Sequence, residues 1–165
     1  MQTKFIIAAT LTMVATSAMA SSNVVPYALS AEHADFQAQL EQVSEIPGDV
    51  GIAASVAAGL MARHSLAQER VVLQRLGSTD WATIEQPQTD AELRGQTQSL
   101  EVELTKLFDG DVELVTALVG LYAAAEEVGQ SEISRLAERV IWHETRDVEV
   151  LYPAALLASS VGKAE

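Results

Sequence analysis

From Glu132 to about Ser159 the chain sets Leu136, Val140, His143, Asp147 and Leu151 at steps of three and four residues. That spacing is the period of an α-helix and puts all five on one side of it. The side is apolar except at its middle. There a histidine and a carboxylate stand one helical turn apart and can point at one spot. An earlier stretch, Met61 to Leu76, has a similar form, with His64, then Gln68 and Glu69, then an apolar run. Two helices that each carry a histidine and a carboxylate among core residues point to a metal site inside a helical bundle.

The helical period extends over the rest of the chain. Ser30 can cap a first helix that runs to about Ser44, with Phe36, Leu40 and Val43 on one stripe and His33 on the same stripe. Ile46-Pro47-Gly48 makes a turn, and Asp49 can cap a second helix reaching Leu76, with Gly77 as its stop. Its inward face reads Ile52, Val56, Leu60, His64, Val71 and Val72. Residues 78–88 carry loop signals and a proline. Thr89-Asp90-Ala91-Glu92 forms a capping box that opens a third helix through Leu100, Leu104 and Leu107. Asp109-Gly110-Asp111 is expected to break it. A further helix then runs from Val112 to about Val128, with Val115, Leu118, Val119 and Tyr122 on one face. Gly129-Gln130-Ser131 marks the last boundary, and Pro153 should kink the final helix or end its regular part. Aromatic residues make up only 5% of the chain, and alanine is abundant, which suits close-packed helices better than a sheet. The two halves echo each other weakly: Phe36, Leu40 and Val43 align with Leu100, Leu104 and Leu107, and His64 with His143.

The N-terminus reads as a secretory signal peptide. Lys4 is the positive region, Phe5 to Val14 the apolar region, and Ala18-Met19-Ala20 the small-x-small cleavage site. The expected organisation is a signal peptide over 1–20, a flexible lead-in over 21–29 and one helical domain over 30–160. The expected compartment is the periplasm or the exterior, with no membrane attachment after cleavage. There is no cysteine, hence no disulfide framework, thiol nucleophile or thiolate cluster. The net charge of −13 becomes one unit more negative once Lys4 leaves, a field that repels nucleic acid and anionic membranes. No Gly-rich phosphate loop and no G-x-S-x-G elbow is present.

The chain has three histidines, and each falls on the apolar stripe of a different helix. One such histidine is usually a satisfied core residue; three of three, two followed by carboxylates, favour a shared site. Counted from the Pro47 turn, His33 and His64 lie roughly 20 and 25 Å along antiparallel helices, a mismatch of about one turn. The candidate ligands are His33, His64, Glu69, His143 and Asp147. Three imidazoles and one or two carboxylates suit one ion, and two only if Glu101 or Glu144 joins. Iron, zinc, copper and nickel all accept such donors. Trp81, Trp142 and Tyr152 read as packing and interfacial residues.

These residues carry a resemblance. His33, the His64-x-x-x-Gln68-Glu69 segment, and His143-x-x-x-Asp147 running into Val150-Leu151-Tyr152-Pro153 resemble the hemerythrin-like (HHE cation-binding) domain, over about Ser30 to Leu157. The resemblance implies an all-α, up-down four-helix bundle. Complete members hold two non-haem irons through five histidines and two carboxylates, and bind dioxygen or related small molecules, or handle iron. Here Gln68 and Val148 stand where that pattern has carboxylates, and the third helix offers Thr97 in place of a histidine. The expectation is an exported metal-binding protein with a reduced site, one or two iron ions or else zinc or copper, open to a small diatomic ligand. The expected role is binding before catalysis, with a di-iron oxidase or oxygen-activating enzyme as the least favoured reading because the ligand set is short. The alternative is a metal-free structural or interaction bundle.

Overall fold

A computed structural model describes residues 27–77 and 89–161. The expected signal peptide, residues 21–26 of the lead-in, the loop at 78–88 with Trp81, and the tail from 162 lie outside the described residues. Among those described, all regular structure is helical. It forms four helices: α1 (Tyr27–Ser44), α2 (Asp49–Gly77), α3 (Asp90–Glu127) and α4 (Ser131–Val161). Consecutive helices pack on one another, consistent with a four-helix bundle.

Contacts between helices set their directions. His33 meets Asp147 and Gln39 meets Arg139, so α1 and α4 run oppositely. Asp111 meets Tyr152 and Glu126 meets Ser134, so α3 and α4 also run oppositely. His64 meets Glu144 and Gln68 meets Asp147, so α2 and α4 run the same way.

Local chemistry explains most boundaries. Thr89 caps α3 through the expected box, its hydroxyl accepting from the Glu92 backbone while the Glu92 carboxylate accepts from the Thr89 backbone. Gly48 and Gly129 take positive φ values of 97° and 72° in the two short turns, where a Cβ would be strained. Other expectations are corrected. The residue before α2 is Gly48, and Asp49 is its first helical residue rather than its cap. Tyr27 to Leu29, assigned to the lead-in, are helical, and Ser30 lies inside α1. The predicted break at Asp109-Gly110-Asp111 does not occur. α3 continues for 38 residues, because one interior glycine costs only about 1 kcal/mol and buried residues on both sides outweigh it. Pro153 does not end α4 either. Its ring is exposed, and Tyr152 and Ala155 beside it are buried against α2 and α3.

The core is in two parts. One contains Phe36, Leu40, Ala54, Met61, Leu118 and Val140; the other contains Val72, Leu73, Leu100, Leu107 and Tyr152. On α2 the inward side is Val50, Ala54, Ala57, Ala58 and Met61, while Ile52 and Val56, expected inside, are exposed. The alanines let neighbouring helices come close, while Ile52 and Val56 face out. By length and composition α2 could cross a membrane; here it packs between α1 and α3. Val119, Tyr122 and Trp142 are also exposed.

Candidate metal centre

Between the two apolar clusters lies a layer of buried polar side chains. His33, His64, Gln68, Asp111, His143, Glu144 and Asp147 are all buried, with Gln68 and Glu144 sealed completely. Each helix contributes. α1 supplies His33; α2 supplies His64 and Gln68, one turn apart; α3 supplies Asp111; α4 supplies His143, Glu144 and Asp147.

The layer divides into two groups. His33, His143 and Asp147 form one; His64, Asp111 and Glu144 form the other. Within each group one donor atom per residue lies within 4.8 Å of the others, close enough for one ion to be held by all three. Asp147 Oδ2 stands 3.5 Å from His33 Nε2 and 3.5 Å from His143 Nε2. His64 Nε2 stands 3.1 Å from Asp111 Oδ1 and 3.0 Å from Glu144 Oε2. The groups sit one turn apart along α2, since Gln68 donates to Asp147 at 2.9 Å while His64 faces Glu144. The one-turn mismatch expected between His33 and His64 is therefore expressed as two levels.

Surrounding residues orient the donors. The rings of His33 and His143 meet edge to face at 4.8 Å, and Phe36 lies against His143 at 5.2 Å. Glu32 Oε2 is 3.5 Å from His143 Nδ1, which turns Nε2 toward Asp147. Tyr152 donates to Asp111 Oδ2 at 2.6 Å, leaving Oδ1 to face His64.

Eight atoms of this layer are buried without a hydrogen-bond partner: His33 Nε2, both ring nitrogens of His64, Gln68 Oε1, Asp111 Oδ1, His143 Nε2 and both oxygens of Glu144. Such an atom costs about 1–3 kcal/mol, and a domain's entire stability is about 5–15 kcal/mol. His33 Nε2 and His143 Nε2 converge on Asp147 at 3.5 Å, and His64 Nε2 converges on Asp111 and Glu144 at 3.1 and 3.0 Å, so a cation seated in either group would take lone pairs from nitrogen and oxygen together. A transition-metal cation does so.

The electrostatics agree. Burial pushes the Asp111 carboxyl up to about 6, against the pull of His64 and Tyr152, with Glu144 and Asp147 adding to the rise. Burial would lower the His64 pKa, but Glu144, Asp111 and Asp147 outweigh it and raise it. Burial would likewise raise Asp147, yet His33, His143 and Gln68 hold it below the ordinary range. Tyr152 is pushed far up, first by burial and then by Asp111, so it remains a donor. Three carboxylates packed this closely favour a bound cation.

The sequence-derived candidates are thus distributed. His33, His143 and Asp147 come together, and His64 heads the second group. Glu69 belongs to neither; it is half-buried on a groove between α1 and α2 that His33 also lines. There α2 changes to a π-helical turn over Glu69–Leu73, which adds a residue to the turn and brings Val71, Val72 and Leu73 in succession into the core. Sequence reasoning missed Asp111, because Gly110 beside it looked like a helix break. It named Glu144 only as a residue that, like Glu101, could complete a second ion. Glu101 is exposed, and Val148 is half-buried against the second apolar cluster. Comparison with protein-family models, curated proteins and solved structures finds no match to this chain.

Proposed function

We propose that this protein is an exported, hemerythrin-like up-down bundle that holds two transition-metal ions. The observation that carries the reading is the layer of converging donors without hydrogen-bond partners. His33, His143 and Asp147 hold one ion; His64, Asp111 and Glu144 hold the other. Gln68, one turn beyond His64 on α2, lies at the level of the first group and donates to Asp147. One donor each from α1, α2 and α3 and three from α4 converge in the bundle core, the place where dinuclear carboxylate sites are built in helical bundles.

The donor set is three imidazoles and three carboxylates, richer in carboxylate than the hemerythrin pattern. It suits iron first, by the resemblance, and also zinc or copper. Two such ions would offer open positions for dioxygen or a related small molecule, as the resemblance implies. The chain's own residues fix the donors, exclude bulk water from the layer and keep Tyr152 protonated beside Asp111. Binding rather than turnover is the expected role.

The test is elemental analysis of the protein purified without a histidine tag or chelator, alongside His143→Ala and His64→Ala variants. Each variant should lose one of two ions while keeping its helical circular dichroism. Unchanged metal content in both variants would place the metal elsewhere. An unloaded wild type whose melting temperature ignores iron, zinc and copper would leave a metal-free bundle.

A further inference from the structure

A groove of about 300 Å³ runs between α2 and α3 and ends on His64. Arg63 and Arg70 line it from α2 and Lys106 from α3. These are three of only ten lysines and arginines in a chain of net charge −13. None of the three forms an ion pair among the described residues, whereas Arg75 pairs with Glu103 and Arg135 with Glu132. Glu103 and Glu113 also border the groove, but Glu103 is answered by Arg75 at 3.9 Å. Along the groove's lining three cations meet two carboxylates, on a molecule that is otherwise strongly negative.

The floor supplies the second observation. His64 is 4% exposed, and its Nδ1 has no hydrogen-bond partner. A Cβ built on Gly110, which lines the same groove, would lie 3.8 Å from that nitrogen. Glycine at 110 therefore keeps the approach to Nδ1 clear. The opposite ring nitrogen, Nε2, faces Asp111 and Glu144. If Nε2 ligates a metal, the ring hydrogen resides on Nδ1 and points where an acceptor is needed; this one step rests on the metal reading.

We infer that the groove is a binding site for a small oxyanion. The anion accepts a hydrogen bond from His64 Nδ1, and Arg63, Arg70 and Lys106 balance its charge. Guanidinium groups offer paired N–H donors to two oxygens, and the ammonium group adds a point charge. The volume suits an inorganic or short organic anion. An anion seated there touches the imidazole that ligates the second ion, so occupancy would be sensed at the metal.

Inorganic sulfate is the probe, because its charge is constant near neutral pH. Calorimetric titration of the full chain at low ionic strength, metal-loaded and metal-free, should give a dissociation constant of about millimolar or tighter. The triple variant Arg63→Gln, Arg70→Gln, Lys106→Gln should weaken binding about tenfold or more. Gly110→Leu, which fills the groove, should abolish it, while Arg135→Gln with Arg139→Gln should leave it unchanged. In nitrogen-15 spectra of the histidine rings, sulfate should move Nδ1 of His64 and leave His33 and His143 in place. No binding, equal losses in the control variant, or an unmoved His64 resonance would overturn the inference. Sulfate binding with this residue dependence in a protein that takes no metal would uphold the groove and sink the metal centre. Metal binding without sulfate binding would do the reverse.

Discussion

Asp111 places a carboxyl in the core, where burial works against its charge. Its carboxyl is buried, pushed up to about 6, and faces His64 with one oxygen and Tyr152 with the other. Asp111→Asn removes a buried charge, so the metal-free variant should melt higher than metal-free wild type. Metal affinity in a chelator competition should fall by more than about 100-fold, since even residues that only orient a ligand are worth about 10–100-fold. A variant that keeps wild-type affinity would remove Asp111 from the centre. Tyr152→Phe should cost about 10–100-fold, because Asp111 Oδ2 then loses the donor that fixes its orientation; unchanged affinity would reduce Tyr152 to packing. The metal-free protein should also lose stability as pH rises. His64 and Asp111 both have folded-state values above their ordinary ones. Each contributes stability that is fully present below the ordinary value and lost as pH rises through the folded one, about 6 for Asp111. Asp147 acts oppositely, its contribution being lost only as pH falls through its lowered value. Thermal melts in chelator should therefore fall between about pH 5 and pH 8; a rising trend would contradict these environments.

At the scale of the elements, most of the fold was legible because α1, α3 and α4 each carry a regular core line. Leu100, Leu104, Leu107, Asp111, Leu114, Leu118 and Leu121 recur at alternating steps of four and three, and all are buried. Read as one helix, this line puts Asp111 in the core among leucines, a clear sign of a site. Reading Asp109-Gly110-Asp111 by local preference hid it, since glycine and aspartate favour breaks unless tertiary packing overrides them. α2 misled in another way. It is apolar on several sides, so periodicity could not tell the alanine side, which is buried, from the Ile52 and Val56 side, which is exposed. The capping box at Thr89 and the Gly129 turn were legible because their chemistry is local. Gly110→Ala tests the element directly. In the interior of a continuous helix it should stabilise by up to about 1 kcal/mol, raising the melting temperature by a few degrees. Destabilisation would mean that α3 needs glycine there for its backbone.

For the whole molecule, the polar layer splits what would otherwise be one apolar core, and no single helix accounts for it. His33 comes from α1 and Asp147 from α4; His64 comes from α2, Asp111 from α3 and Glu144 from α4. The three histidines and Asp147 could be named from spacing. Their division into two groups could not, because it depends on helix register, and a shift of one residue rotates a side chain by about 100°. Metal binding at the His64 group should weaken as pH falls through about 6, where Asp111 takes up its proton and the imidazole ligand must stay neutral. The most direct measurement is the number of transition-metal ions per chain in the purified protein, counted by elemental analysis after loading and dialysis. Two ions per chain, removed by chelator with a clear drop in melting temperature, is the expected result. No retained ion, and a melting temperature indifferent to both metal and chelator, would contradict a metal centre in this layer.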